Sequence, residues 1–149
     1  MNVNWQGVYP ALTTQFREDE SIDIEATAAH LEKMIAGGIH GVILLGSVGE
    51  NTALSYEEKL MVLRELLPVV KGRIPVLSGV AENTTRTACA YARDCEKIGI
   101  DGMMVLPAMI YKADKREAMS HFRSVARASG LPIMVYNNPA TANVDLTPP

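Results

Sequence analysis

Continuous apolar runs recur along the chain at intervals that suit a repeating unit of strand and helix. Four segments carry them: 38–45, 73–79, 99–106 and 131–136. Because these runs do not alternate with polar residues, they predict strands that are buried on both faces, as in a parallel sheet. Each run opens near a glycine, and the intervals between these glycines are 34, 27 and 31 residues. That spacing is typical of a βαβ unit.

The segments between the runs have the periodicity of amphipathic helices. The first has apolar residues on one face from Ile24 to Ile35 and stops at a pair of glycines, 37–38. Ser55 followed by Glu58 predicts a capping box at the start of the second helix, and Asp114 followed by Glu117 repeats that spacing at the fourth. A third helix is predicted from Thr84 to Ile98, with the fourth ending at Gly130, and an additional first strand from Gly7 to Thr14.

The predicted order is five strands alternating with four helices, which indicates an α/β fold with right-handed crossovers. Two architectures fit this order: an open doubly wound sheet, or the first part of a (β/α)8 TIM barrel. A complete barrel needs about 250 residues. The whole chain, 1–149, is interpreted as one domain, since no low-complexity linker divides it.

Composition narrows the class of protein. The net charge is −3, with 48% hydrophobic and 21% charged residues, so neither a nucleic-acid footprint nor a polybasic membrane patch is expected. No apolar run reaches the roughly 18 residues of a membrane span, and the amino terminus lacks the pattern of a secretory signal. Cys89 and Cys95 match neither a CxxC motif nor a disulfide framework. A reduced, cytoplasmic location is the expectation.

Polar residues follow the predicted strands at their carboxyl ends, where both architectures bind ligands. Small residues in the loop Gly46–Gly49 would let backbone N–H groups approach a carboxylate or phosphate. The same residues also suit an ordinary tight turn, because the loop is neither a Walker A loop nor a GxGxxG motif. Glu50 fits two roles, a helix-dipole partner or an internal hydrogen-bond anchor.

Tyr136 ends the last predicted strand and allows two interpretations. It is either a packing residue with a solvated hydroxyl or a proton relay, for which Ser47 and Tyr111 are the available hydroxyl partners. Lys112 is the one lysine in a carboxyl-end loop, where a solvated side chain is the simpler expectation. The histidines lie in helices or before a strand, without metal-ligand spacing, so no metal site is predicted.

These motifs resemble those of the dihydrodipicolinate synthase and N-acetylneuraminate lyase family. The residues that carry the resemblance are GSVGE at 46–50 and YNNP at 136–139. Supporting matches, which spread it over the whole chain, are GVYPALTTQF at 7–16, GRIPVLSGV at 72–80 and the pair His-Phe at 121–122. The resemblance implies a class I Schiff-base lyase, an aldolase, dehydratase or deaminase on a (β/α)8 barrel, usually a homotetramer.

In such enzymes a lysine on the sixth strand forms an imine with pyruvate or another 2-oxo acid, without a separate cofactor. That lysine is expected beyond residue 149, so this chain is interpreted as a partial barrel that stops before it. The resemblance makes Tyr136 the proton relay, with Ser47 and Tyr111 as further catalytic candidates. It places substrate binding on the loop after the second predicted strand, and the residues are Gly46, Ser47, Val48, Gly49 and Glu50.

The sequence departs from the synthases in ways that affect the expected substrate. Val48 replaces a residue that often carries a hydroxyl, Tyr111 is displaced from the second relay tyrosine of the synthases, and no arginine follows YNNP. Family members that handle sugar-acid or hydroxyproline-derived 2-oxo acids are more similar. Two alternatives of other classes stay open: a non-catalytic fragment that pairs into a barrel-like dimer, and a flavodoxin-like binding domain.

Overall fold

A computed structural model describes residues 3–108, 110 and 112–147; Tyr111, one of the predicted site residues, lies outside them. Within this part of the chain, parallel strands alternate with helices. The strands are β1 (Val42–Leu44), β2 (Val76–Val80), β3 (Gly102–Val105) and β4 (Ile133–Val135). The helices are α1 (Ile24–Ala36), α2 (Tyr56–Val70), α3 (Thr85–Ile98), α4 (Lys115–Ala128) and the short α5 (Pro139–Ala142).

The strands form one parallel sheet in which spatial order follows chain order, β1-β2-β3-β4. The successive helices α1 to α4 pack against one another in the same order. A doubly wound sheet reverses its strand order at a switch point, and this sheet does not. The flavodoxin-like alternative is therefore wrong, and the sequential order is that of a (β/α)8 barrel wall.

The predicted first strand is only partly correct. The segment 8–12 lies beside β1, where Val8 O accepts from the His40 N–H at 2.9 Å and Leu12 N–H donates to Ile43 O at 2.9 Å. Its one ladder pairing is a parallel bridge between Ala11 and Ile43. Pro10 has no N–H to donate, which interrupts a regular ladder. The described part of the chain thus contains four regular strands rather than five.

Successive side chains along each strand point to opposite faces of the sheet, and each face has its own apolar cluster. The outer cluster packs the sheet against α1–α4 and includes Val42, Val76 and Val105, all fully buried. The opposite face, here called the interior face, carries a smaller cluster. Its buried members are Ile43, Leu77, Met104 and Leu106, with Met134 and Tyr136 packed against them.

The helix ends follow the sequence signals closely. Capping boxes close the starts of α2, at Ser55 and Glu58, and of α4, at Asp114 and Glu117, as predicted. The predicted end of α4 at Gly130 is wrong by two residues, since the helix stops at Ala128 with an extended residue after it. These caps fix where each helix begins, and therefore where each carboxyl-end loop finishes.

Candidate active site at the carboxyl edge of the sheet

The loop after β1 is a tight double turn. Residues 47–49 and 51–53 each form one 3₁₀ turn. Gly49 N–H donates to Gly46 O at 3.0 Å, and Glu50 joins the two turns with a left-handed backbone, φ 59°. Thr14, nearly buried, donates its hydroxyl to Gly49 O at 2.7 Å from the neighbouring segment. The turn is therefore held by its own backbone hydrogen bonds and by the Thr14 hydroxyl.

This turn offers polar groups to solvent at the edge of the interior face. Ser47 and Val48 are exposed, and the 3₁₀ turn does not use the backbone N–H groups of its first residues. Gly46 is buried, and the position of an added Cβ there is 3.6 Å from Met104 Cε. Since Met104 belongs to the interior cluster, the turn borders that face. Glu50 is exposed, and its side chain makes no capping hydrogen bond to the second 3₁₀ turn.

Asn51, which the sequence analysis missed, holds the turn from inside. Its side chain is 1% exposed, and its Nδ2 donates to Leu45 O at 2.9 Å and to Gly79 O at 3.2 Å. These two carbonyls lie at the carboxyl ends of β1 and β2. Leu45 has a left-handed backbone, φ 53°, an uncommon conformation outside glycine. Asn51 thus stabilises an unusual backbone at the point where the strand becomes the loop.

Position 79 requires a glycine because the carboxyl end of β1 approaches β2 closely there. A Cβ added at this position would lie 2.0 Å from Leu45 O, well inside contact distance. The predicted strand run 73–79 therefore ends in a glycine for a steric reason. The absence of a side chain lets the carboxyl end of β1 approach β2 closely enough for Asn51 to reach both.

Tyr136 follows β4 directly and lies on the interior face, half-buried. Its N–H donates to Val105 O at 2.9 Å, which continues the β3–β4 ladder by one residue. Its phenol oxygen accepts a hydrogen bond from Asn138 Nδ2 at 3.2 Å. Among the residues that the structure describes, this amide is the phenol's hydrogen-bond partner, and Ser47 is not. Ser47 lies at the end of β1, with β2 and β3 between it and Tyr136 in the sheet.

Lys112 is exposed, so the desolvation that activates an amine nucleophile is missing there. A different lysine, in α2, is buried. Lys59 Nζ lies 2.7 Å from Glu82 Oε1, with 6% and 9% of the two side chains exposed. Glu82 belongs to the loop after β2, so this ion pair fastens that loop to the first turn of α2.

A polar cluster continues from this ion pair beneath the sheet. Lys59 Nζ lies 6.0 Å from the ring centroid of Tyr91, whose hydroxyl is 2.9 Å from Ser78 Oγ. Burial raises the pKa of Tyr91 well above its ordinary value and raises the pKa of Cys95 to about 12. Both groups are therefore neutral at physiological pH. In the described part of the chain no group of three metal-ligating side chains converges, and no described helix has the length and apolar character to cross a membrane.

A parallel strand order that follows the chain, with polar loops gathered at the carboxyl edge, defines a protein of the (β/α)8 barrel class. The family model of the dihydrodipicolinate synthetase family matches residues 4–149, and the chain belongs to that family.

Relatives and solved structures agree with this assignment. A 4-hydroxy-tetrahydrodipicolinate synthase of Chelativorans sp. is 36% identical over 97% of this chain, and a DapA-like lyase of Rhizobium meliloti is 38% identical over 98%. YagE of Escherichia coli K12, a family member solved in complex with pyruvate, superimposes with a TM-score of 0.92 at 32% identity, over 97% of this chain and 49% of that one. The chain spans about half the length of these relatives, 49% and 48% of the first two.

Proposed function

We propose that the chain supplies the amino-terminal half of the active site of a Schiff-base lyase that acts on pyruvate or a related 2-oxo acid. Support comes from the position of two groups. The turn at Gly46 and Tyr136 both lie beside the interior face at the carboxyl edge: a Cβ added at Gly46 would be 3.6 Å from Met104 Cε, and Tyr136 packs against the cluster that contains Met104. Family membership and the pyruvate complex of YagE point to the same chemistry.

The turn after β1 is the proposed site for the carboxylate of the keto acid. The backbone N–H groups at Ser47 and Val48 and the Ser47 hydroxyl supply donors to an anion. Val48 has no hydroxyl, so the carboxylate is held by the backbone and by one side-chain donor. The apolar interior cluster beside the turn would exclude water from the keto carbon and strengthen these hydrogen bonds.

Tyr136 is proposed to move protons at the reacting carbon. A lysine amine, expected beyond residue 149, attacks the ketone carbon and water leaves, which gives a protonated imine. The electrons of an adjacent C–H or C–C bond then flow into the C=N bond. Asn138 donates to the phenol oxygen and orients the ring. The phenolic hydrogen is left to bond an acceptor on the substrate, which is what a relay requires.

The substrate is proposed to be a sugar-acid or hydroxyproline-derived 2-oxo acid, handled by dehydration or deamination. No arginine follows the YNNP motif to bind a second carboxylate of a condensing partner. The stretch there is 140–143, Ala-Thr-Ala-Asn. A compound with one carboxylate and several hydroxyls fits these small and polar residues better than a dicarboxylate does.

Borohydride trapping tests the proposed reaction. Borohydride reduces an imine to a stable amine, so a pyruvyl adduct is read directly by intact mass. We expect no adduct on residues 1–149 alone, and a pyruvate-dependent adduct on a longer polypeptide that continues through the second half of the barrel. An adduct on the short chain would instead assign the imine to one of its own lysines. No adduct on either polypeptide would refute a Schiff-base lyase.

A further inference from the structure

The segment 137–146, which follows Tyr136, folds back on itself and is closed by one side chain. The Asn137 carboxamide donates from Nδ2 to Asp145 Oδ1 at 2.9 Å. Its Oδ1 accepts the Leu146 N–H at 3.1 Å. Asn137 therefore joins the beginning of this segment, here called the 137–146 turn, to its end, and it uses both the donor and the acceptor of its amide to do so.

The rest of the 137–146 turn is fastened to α4. Asn138 is the N-cap residue of α5, and its carbonyl accepts the Ala142 N–H at 2.9 Å. Ala142 and Val144 are buried and form an apolar cluster with Ala118 of α4. Leu146 is half-buried and packs against the same cluster. The returning residues 144–146 are thus an anchored segment, and Asn137 connects the carboxyl end of β4 to it.

Asn137 works from behind the face that carries the phenol. Successive side chains of an extended chain point in opposite directions. Tyr136 packs on the interior face, whereas the partners of Asn137 belong to the segment that packs on α4. Asn138 comes next, and its Nδ2 donates to the Tyr136 hydroxyl at 3.2 Å. The residue that bonds the phenol therefore lies next in the chain to the residue that ties the backbone to α4.

We propose that Asn137 is a positioning residue for proton transfer: it fixes the backbone after β4 so that the Asn138 amide reaches the Tyr136 phenol oxygen. Both functions of its carboxamide are needed. The Leu146 N–H only donates and the Asp145 carboxylate only accepts, so neither alanine nor aspartate at position 137 satisfies both. The consequence for turnover rests on the proposed function, whereas closure of the turn does not.

Amide hydrogen exchange tests closure on the chain as it is. We expect Asn137→Ala to speed exchange of the Leu146 amide about tenfold, the factor of one ordinary hydrogen bond in a local opening. The Leu106 amide, which donates to Val80 O at 2.9 Å in the neighbouring strand pair, is the control and should be unchanged. An unchanged Leu146 amide, or equal acceleration of both amides, would overturn the proposal.

Exchanging the two polar partners separates hydrogen bonding from side-chain size. Asn137→Asp alone sets two acceptors against each other and should speed Leu146 exchange as much as Asn137→Ala does. Adding Asp145→Asn reverses the direction of the side-chain hydrogen bond and leaves a carboxylate to accept the Leu146 N–H. The double variant should restore protection to within about threefold. No recovery in the double variant would refute closure by this pair.

Kinetics of the longer polypeptide test whether Asn137 acts through Asn138. Asn137→Ala should lower kcat about tenfold and leave KM within about twofold, because the misplaced group moves protons and does not bind substrate. Asn138→Ala should have a similar effect. The double variant should be no slower than the slower single variant, since both changes disturb the same phenol. Losses that multiply would show that Asn137 acts independently and would overturn the positioning role.

Borohydride trapping with pyruvate distinguishes failure of this proposal from failure of the proposed function. The Asn137→Ala variant of the longer polypeptide should still form the pyruvyl adduct, because the expected defect follows imine formation. An adduct that is lost in this variant alone would assign Asn137 to substrate binding or to the fold, against a positioning role. An adduct that is absent from the unaltered polypeptide as well would refute the proposed function, and with it the effect on turnover.

Discussion

Replacing Lys59 with methionine should destabilise the protein far more than replacing an exposed lysine. Lys59 and Glu82 are 2.7 Å apart, with side chains 6% and 9% exposed. At that distance and an effective dielectric constant of about 20, the attraction is about 6 kcal/mol. Desolvation of the two charges, several kcal/mol for each, offsets most of it. The intact pair therefore contributes little net stability. Removing one partner is nevertheless costly, because the other charge stays buried without compensation.

Lys59→Met removes the attraction and leaves the Glu82 carboxylate buried without its cation. We expect a loss of about 3–5 kcal/mol in the free energy of unfolding, the range for a broken buried ion pair. Urea denaturation at pH 7, followed by far-UV circular dichroism, measures it. The matched control is Lys97→Met, since Lys97 is 73% exposed in its ion pair with Asp94. That variant should lose less than about 1 kcal/mol.

A double-mutant cycle isolates the interaction from the loss of side-chain volume. Lys59→Met, Glu82→Gln and the double variant complete the cycle with the unaltered chain. The double variant should be less destabilised than the sum of the single variants by about 2 kcal/mol or more, because it leaves no unpaired charge. Additive losses, or a Lys59→Met loss no larger than that of Lys97→Met, would refute the reasoning.

Four further predictions concern single positions. Asn51→Ala removes the amide donor from Leu45 O, whereas Gly79 O keeps the Ser78 hydroxyl as a donor, so the variant should cost about 1–3 kcal/mol in urea denaturation. Gly79→Ala places a Cβ 2.0 Å from a carbonyl oxygen and should prevent normal folding. The control Gly46→Ala, whose added Cβ has 3.6 Å of clearance, should cost less than about 1.5 kcal/mol in the free energy of unfolding. Comparable losses in the two variants would contradict the geometry. The pKa of about 12 at Cys95 should leave that thiol unmodified by iodoacetamide at pH 8 until urea is added, as peptide mass mapping would show. In the longer polypeptide, Tyr136→Phe should keep the fold and lower turnover roughly 100-fold; unchanged turnover would remove the phenol from the mechanism.

Periodicity and capping signals were sufficient to predict most of the fold. The continuous apolar runs predicted buried parallel strands, and the three-residue spacing of Ser55 and Glu58 predicted where α2 begins. The first strand was less predictable, because whether a segment containing Pro10 forms a regular ladder depends on its partner strand. Local sequence patterns also do not distinguish a barrel from an open sheet, since the difference depends on which strands become neighbours.

The sequence singled out the turn 46–50 and the strand-end Tyr136 as candidate site residues, and their roles stay predictions. The buried ion pair that fastens the loop after β2 was missed. Lys59 and Glu82 are 23 residues apart, and nothing local indicates that they pair. One signal was present. Lys59 lies on the same helical stripe as Leu63 and Leu66, which are fully buried, so its position predicted burial despite its charge. His121 likewise falls on the stripe of Val125 in α4.

Residues on the inward-facing stripe of these helices occupy comparable places in the fold. The helices of a βα unit start near the carboxyl edge of the sheet, so a polar residue on the inward stripe of an early helical turn lies beside the carboxyl-end loops. Lys59 meets Glu82 after β2. Asn51, in the turn itself, joins the ends of β1 and β2. The carboxyl ends of β1 and β2 are thus fixed by buried polar side chains from outside the interior face, which leaves the cluster on that face apolar.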